Sequence, residues 1–472
     1  MIPDNKTGAP PQTIVKDIEE KQSMKEIWGQ DEKIRSVLKK QKLNSFDQYR
    51  LSQFVLTFEL YGKIFLYNTM TRQCLLTDCT LSKDSSFSFT RIIGDSELYK
   101  LAEDYFLVPE QKDEVDFYKS IYQLMRTIAK KKGFAGYMIL PTLGCNARCV
   151  YCYEKNRPRI SMTMETVDRT IEYILETRRK NTRIHLSWFG GEPLLRTDVI
   201  DTICMAMAEN GIEFKSSIVT NGSLINDELV RKMIEDWHME EVQVSMDCAE
   251  EDYIARKKYY HYENTYWNVM KNAEKLACRG VSVGIRCNVD EGNIERIPDF
   301  LSDLGNVIKE KSKILVYFAP LHAFRESPAF LSYWNRIIGS RTLIERAGFR
   351  NLTTSSLKTF RINNCMADQP SGYAVIAPGG ELYTCLHCEP GTSHGDIFQG
   401  TTRPDILRSF IEVGDVREKC RDCPILPECT PFSRCPNRND YCKITRTESN
   451  IYILRQMVKE QVESACQPLK TR

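Results

Sequence analysis

Between residues 136 and 321 the chain alternates short apolar runs with longer stretches in which apolar positions recur every three or four residues. The runs are YMILPTL, IHLSWF, KSSIVT, EVQVSM, VSVGIRCNV and ILVYFAPL. Their length and β-branched content predict strands. The stretches between them, such as 164–178, 227–237 and 266–279, have the period of amphipathic helices. Strands alternating with helices imply parallel pairing through right-handed crossovers. The span is 186 residues. At roughly 30 residues per β-α-β step it holds six units rather than the eight of a closed barrel. The predicted fold class is α/β, a partial (β/α)6 TIM-type barrel whose wide mouth suits a large substrate.

The flanks have other patterns. Residues 1–45 are polar and charged; the first dozen read as disordered and 13–40 as a partly amphipathic helix. YRLSQFVLTFELYG and KIFLYNTM read as strands joined in a hairpin at Gly62 and Lys63. ELYKLAEDYFLV and EVDFYKSIYQLMRTIAKK read as helices, closing a small strand-helix domain over 46–132. The barrel is assigned to 133–325. A helical linker over 326–358, a cysteine-rich domain over 359–446 and a C-terminal helix over 447–472 follow it.

Composition changes this picture chiefly through cysteine. The 472 residues carry 65 Lys plus Arg against 63 Asp plus Glu, a net charge of +2, and 18 cysteines. Balanced charge gives no electrostatic footprint for nucleic acid. No apolar run is long enough to span a bilayer, and MIPDNKTGAPPQ lacks the apolar core of a signal peptide. The expected location is the cytoplasm, with neither nucleic acid nor membrane as partner. That compartment keeps thiols reduced, so the cysteines read as metal ligands and core residues rather than a disulfide framework. Cys74, Cys204, Cys248, Cys278 and Cys287 lie in strand or helix patterns and are expected to be small core residues. Cys79 and Cys466 fit neither group.

The loop after the first strand, LGCNARCVYCYEK, holds Cys145, Cys149 and Cys152 with three and then two residues between them. A structural zinc site takes four ligands and a disulfide two. Three thiolates suit a 4Fe-4S cluster that keeps one iron open; a zinc site completed by a distant fourth ligand is the alternative. The other polar motifs also follow strands, where parallel α/β folds bind ligands. In WFGGEP, Gly190 and Gly191 allow the backbone to come close to a ligand. VTNG ends at Gly222, SMD at Asp247, and Arg286 and Asn288 stand two apart on the fifth strand, on one side of it. Singly each is an ordinary turn or cap; their shared rim gives them weight.

With its C-x3-C-x2-C loop and GGEP motif, the barrel resembles the radical S-adenosylmethionine (radical SAM) superfamily. That resemblance implies S-adenosylmethionine chelated to the open iron of a cluster held by Cys145, Cys149 and Cys152, and reductive release of a 5′-deoxyadenosyl radical. It further implies that Gly190, Gly191 and Glu192 hold the methionine amino end and Arg286 its carboxylate. Ser245 and Asp247 would contact the ribose, Thr220 and Asn221 would line the pocket, and Tyr151 would lie beside the adenine.

A second cysteine pattern resembles the SPASM extension, which carries auxiliary 4Fe-4S clusters. Its members here are Cys365, Cys385 after Gly380, and Cys420, Cys423, Cys429, Cys435 and Cys442. Five residues separate Cys429 from Cys435 where the family pattern has three, which leaves the ligand partition open. Seven thiolates are one short of two full clusters, so either Cys388 supplies an eighth or one iron stays open. Zinc is again the alternative, and His387 is expected to be a loop residue. Together with the N-terminal domain, similar in layout to a winged-helix precursor-recognition element, the pattern resembles maturases of ribosomally made peptides. The implied partners are a precursor peptide and an electron donor such as flavodoxin or ferredoxin, and the implied product is a crosslink such as a thioether. Anaerobic sulfatase maturases are the alternative within the enzyme class, but the acidic residue they place after the second SPASM cysteine is here Leu386. A non-catalytic iron-sulfur or zinc scaffold would have no use for the GGEP segment.

Overall fold

The computed structural model describes residues 24–38, 43–45, 47–60, 62–77, 81, 84–129, 132–260, 265–321, 330–351, 355–358, 372–428 and 444–466. In chain order the first strands are β1 (Met24–Trp28), β2 (Gln48–Leu51), β3 (Val55–Leu60), β4 (Lys63–Asn68), β5 (Cys74–Thr77), β6 (Ser86–Ser88) and β7 (Leu107–Pro109). They form two antiparallel sheets, ordered β1-β5-β4-β3 and β6-β2-β7. The expected hairpin is present: β3 and β4 pair from Leu60↔Lys63 to Val55↔Asn68, and Gly62 turns the chain at φ +70°.

Two expectations for this region are corrected. The part of the 13–40 helix that lies within the described residues is a strand, β1 pairing with β5, and then a short helix Glu32–Val37 capped by Asp31. The helix expected over 97–108 spans Ser96–Glu103 and stops there. Tyr105 takes φ +66°, and Leu107–Pro109 pairs with β2. Helical spacing of apolar residues persists past Glu103, but pairing with β2 wins there.

The barrel strands are β8 (Gly136–Thr142), β9 (Ile184–Gly190), β10 (Phe214–Thr220), β11 (Met239–Asp247), β12 (Ser282–Val289) and β13 (Ile314–Pro320). All five neighbouring pairs are parallel, as the alternation requires. The helices Met164–Thr177, Asp227–Glu235 and Thr265–Cys278 match the expected ones to within two residues. The sheet continues past β13 into the short β14 (Arg350–Asn351) and past β8 into β15 (Tyr373–Ile376). From β15 an antiparallel meander runs through β16 (Glu381–Tyr383), β17 (Gly395–Asp396) and β18 (Gly400–Thr401).

Alternation along the strands divides the sheet into an apolar face and a polar one. Val242, Val244 and Met246 of β11, Val283, Ile285 and Cys287 of β12, and Val316 and Phe318 of β13 join the helices in one buried core. The register Ser245↔Arg286↔Tyr317 puts these three on the opposite face. Tyr317 donates to Gln243 there at 2.8 Å. The concave interior of the barrel is therefore polar and tied to its strands.

The N-terminal domain is docked on the cysteine-rich region. Phe54, Tyr118 and Tyr122 pack with Leu426, and Phe58, Phe65 and Leu76 pack with Ile425 and with Leu454 and Val458 of the helix Ile444–Cys466. Among the described residues no helix is long and apolar enough to cross a membrane. The cysteines expected in the core are buried at 74, 204, 248 and 287, but Cys278 is exposed near a helix end, so that expectation is corrected.

Candidate functional site

The loop from Cys145 to Cys152 leaves the end of β8 and is fastened on three sides. Thr142 accepts from the Gly144 amide at 2.9 Å and meets Ser161 at 2.8 Å. On a second side, the Arg148 amide bonds to the Lys257 carbonyl at 3.0 Å, the Val150 amide to the Arg256 carbonyl at 2.9 Å, and the Tyr260 amide to the Asn146 carbonyl at 3.0 Å. The segment 256–260, which ends the helix Glu250–Lys257, thus backs the cysteine loop. Nothing in its sequence pattern distinguishes it from an ordinary amphipathic helix end.

The third fastening is the WFGGEP turn. A Cβ added to Gly190 would fall 2.3 Å from the Thr142 carbonyl oxygen, and one on Gly191 would fall 2.2 Å from that of Gly144. The Gly191 and Glu192 amides donate to those same two oxygens at 3.0 and 2.8 Å. The close backbone approach expected of these glycines is made to the chain's own cysteine loop. Glu192 is fully buried, which pushes its carboxyl pKa up. Its oxygens accept from Thr220 Oγ1 at 2.7 Å, the Asn221 amide at 2.8 Å and the Leu194 amide at 3.2 Å. Asn221 Nδ2 in turn donates to Asn146 Oδ1 at 2.7 Å, reaching the residue beside Cys145. One buried carboxylate braces the ends of β9 and β10 beneath the cysteine loop.

Cys145, Cys149 and Cys152 are partly exposed free thiols that interact electrostatically with one another. Burial raises the pKa of all three, that of Cys145 to about 12. Among the described residues no three His, Cys, Asp or Glu side chains are gathered around a single metal ion. A four-iron cluster presents each thiolate to a different iron and so needs them farther apart than one ion does. Three free thiols on one pinned loop are the donor set that such a cluster takes when it keeps one iron open.

Beyond the loop, Tyr151 donates to Asp247 Oδ2 at 2.7 Å and accepts from Asn288 Nδ2 at 3.2 Å. Asp247 is fully buried, and its other oxygen has no hydrogen-bond partner. Burial pushes its pKa up to about 6, against the pull of Lys257, the Tyr151 hydroxyl and Arg256. Ser245 accepts from the buried Lys257 ammonium at 2.6 Å. Arg286 is exposed on the concave face. An unsatisfied buried acceptor, a hydroxyl and a free guanidinium on one rim suit a polar, zwitterionic ligand. The structure thus gathers Tyr151, Ser245, Asp247 and Arg286 beside the cysteine loop. Sequence reasoning missed Lys257 and the brace role of Asn146.

The model of the radical SAM superfamily matches residues 139–304. The barrel belongs to the radical SAM superfamily. That match covers the greater part of the barrel and about a third of the chain. An uncharacterized protein of Methanocaldococcus jannaschii is 27% identical over 174 residues, 36% of this chain and 59% of that protein, so the chain spans less than two thirds of that relative. A GTP 3′,8-cyclase of Clostridium perfringens strain SM101 is 24% identical over 57% of this chain and 85% of that protein. Among solved structures, native anSMEcpe with bound AdoMet superposes with a TM-score of 0.55 at 18% identity, over 70% of this chain and 98% of that one. The same protein with bound AdoMet and Cp18Cys peptide gives 0.53 at 18% identity, over 70% and 98%. The two structural likenesses show a shared fold that reaches beyond the barrel.

The cysteines of the second pattern fall into two places. Cys385 and Cys388, both buried, lie in the turn after β16. Cys388 packs with Leu140 of β8 and Val375 of β15, whereas Cys385 packs on Phe410. This turn touches the radical SAM loop: the His387 ring lies 5.1 Å from that of Tyr153, and Arg157 donates to the His387 carbonyl. Cys420 and Cys423 pack instead on the N-terminal domain. Cys365, Cys429, Cys435 and Cys442 lie outside the described residues, as do Cys79 and the side chain of Cys466.

Proposed function

We propose that this enzyme is a radical SAM/SPASM maturase that acts on a residue of a ribosomally made precursor peptide. The carrying observation is the Cys145–Cys149–Cys152 loop, braced by Glu192 and placed against Asp247, Ser245 and Arg286. When bound, a 4Fe-4S cluster supplies the electron that breaks a carbon-sulfur bond of S-adenosylmethionine and yields a 5′-deoxyadenosyl radical. The chain's own residues bind and orient. The thiolates of Cys145, Cys149 and Cys152 would each hold one iron of that cluster. The backbone of Gly190, Gly191 and Glu192 would hold the methionine amino end, and the Arg286 guanidinium would pair with its carboxylate. Ser245 and Asp247 would take the ribose hydroxyls, with the Asp247 oxygen that lacks a hydrogen bond as acceptor; Thr220 and Asn221 would wall the pocket, and the Tyr151 ring would lie beside the adenine.

Cys365, Cys385, Cys420, Cys423, Cys429, Cys435 and Cys442 are assigned to auxiliary 4Fe-4S clusters, with Cys388 available as an eighth ligand. A peptide substrate is supported by the likeness to anSMEcpe, two structures of which hold a peptide. A flavodoxin or ferredoxin would supply electrons in the cytoplasm, and the thioether crosslink is the favoured product. The sulfatase-maturase alternative shares the fold, but Leu386 removes the acidic residue that such a reaction would use.

The test is direct. Anaerobically reconstituted, reduced protein should convert S-adenosylmethionine to 5′-deoxyadenosine, and Cys149→Ala should abolish it; cleavage at the parent rate in that variant defeats the site assignment. Iron analysis should give roughly twelve irons per chain if three 4Fe-4S clusters are present. Zinc at the C-terminal cysteines would remove the auxiliary clusters from the proposal.

A further inference from the structure

Lys257 closes the helix Glu250–Lys257 and is 2% exposed. Its ammonium bonds to one neutral group, the Ser245 hydroxyl at 2.6 Å, and lies 5.8 Å from the Tyr253 ring centroid. Two of its three donors have no hydrogen-bond acceptor among the described residues. A buried cation in such a position needs an anion close by. Among the described residues Glu192 and Asp247 are the carboxylates that feel its charge, and neither hydrogen-bonds to it. Glu192 is spent on Thr220, Asn221 and Leu194. Asp247 gives one oxygen to Tyr151, and its other oxygen stands 3.9 Å from Arg256. The Lys257 carbonyl, meanwhile, holds the Arg148 amide, next to Cys149.

We infer that Lys257 is the buried counter-charge of the iron-sulfur site, a positioning residue anchored on Ser245 that favours the reduced state of whatever Cys145, Cys149 and Cys152 hold. Adding an electron to a thiolate-ligated cluster adds negative charge in a site of low dielectric, and a fixed cation beside the Cys149 turn stabilises that added charge. Arg256, on the same helix, is ion-paired with Asp290 at 2.8 Å, so it is already engaged elsewhere.

This inference rests on the radical SAM site proposed above, and the experiment separates the two. Full-length parent, Lys257→Met and Lys257→Gln are reconstituted anaerobically and poised at one fixed potential. Iron is measured, and the reduced signal is read by electron paramagnetic resonance after subtracting the spectrum of the Cys145/Cys149/Cys152→Ala triple variant. Both Lys257 variants should keep the parent's iron content, while the ratio of reduced to oxidised cluster falls about tenfold, or about 59 mV for one electron. Lys257→Gln keeps a donor for Ser245 and loses only charge, so it gives the answer if Lys257→Met fails to fold. Lys257→Arg should restore the ratio. An unchanged ratio at parent iron content overturns the inference, even if cofactor affinity changes. Parent and triple variant with equal iron would defeat the site reading instead.

Discussion

At the scale of single residues, Asp247 shows what the site costs the fold. A buried carboxyl titrating at about 6 is raised from an unfolded value of roughly 4, a difference worth about 3 kcal/mol. Between those values the folded chain keeps a proton that the unfolded chain has lost. Stability therefore falls as pH rises through that window and stays lower above it. In the cluster-free protein, Asp247→Asn should match the parent near pH 4 and exceed it by about 1–3 kcal/mol at pH 7.5, by urea denaturation followed through tryptophan fluorescence. The same substitution should weaken S-adenosylmethionine binding to the reconstituted enzyme. Equal stability at both pH values would show that burial does not set this titration. Cys145, Cys149 and Cys152 are legible from sequence because their spacing lies within one turn-rich loop. Lys257 is not, since its partners Ser245 and the Arg148 amide are brought to it only by the barrel.

At the scale of elements, alternation was a sound guide where each strand is followed by its own helix. All six barrel strands lie where the pattern puts them, because a crossover unit is specified by local periodicity. Reading was weaker in the N-terminal domain. β1 is five residues long and pairs with a strand nearly fifty residues on, and no local period records that. GGEP was recognisable, but the partner of its glycines was not, since that is a backbone contact between β9 and the loop after β8. It predicts a graded effect. Gly191→Ala must push the turn off the Gly144 carbonyl, a backbone atom that cannot swing aside. It should destabilise the barrel by about 2–4 kcal/mol, in the range of overpacking and strain, and should lower iron at the Cys145–Cys152 loop. Gly62→Ala, which meets no atom within 4 Å and pays only for φ +70°, should cost about 1 kcal/mol and leave iron unchanged. Equal thermal shifts from the two would remove the close-approach explanation.

At the scale of the whole molecule, the N-terminal domain does more than flank the barrel. Its sheet and the helix Glu114–Ala129 hold the segment from Cys420 to Glu428 against an apolar surface. Thr69 donates to the Pro424 carbonyl at 2.8 Å and Gln53 to the Arg421 carbonyl at 2.8 Å. At the centre is Arg72, with no exposed surface, paired with Glu428 and 3.3 Å from the Tyr67 hydroxyl. The pair is asymmetric, for the Glu428 side chain retains 17% exposure and Arg72 none. Glu428→Ala strands a buried cation and should cost about 3–5 kcal/mol. Arg72→Met leaves the carboxylate near water and should cost less, about 1–3 kcal/mol. The double substitution Arg72→Met with Glu428→Leu should recover much of the loss, since well-packed apolar groups can replace a buried pair. Thermal midpoints of the parent and the three variants test this ranking. If the Cys420 and Cys423 segment carries an auxiliary cluster, Glu428→Ala should also lose iron while Cys145, Cys149 and Cys152 keep theirs and 5′-deoxyadenosine still forms. Full iron with the midpoint lowered would make the Arg72 contact a matter of stability alone, and equal losses in both single variants would contradict the burial asymmetry on which the ranking rests.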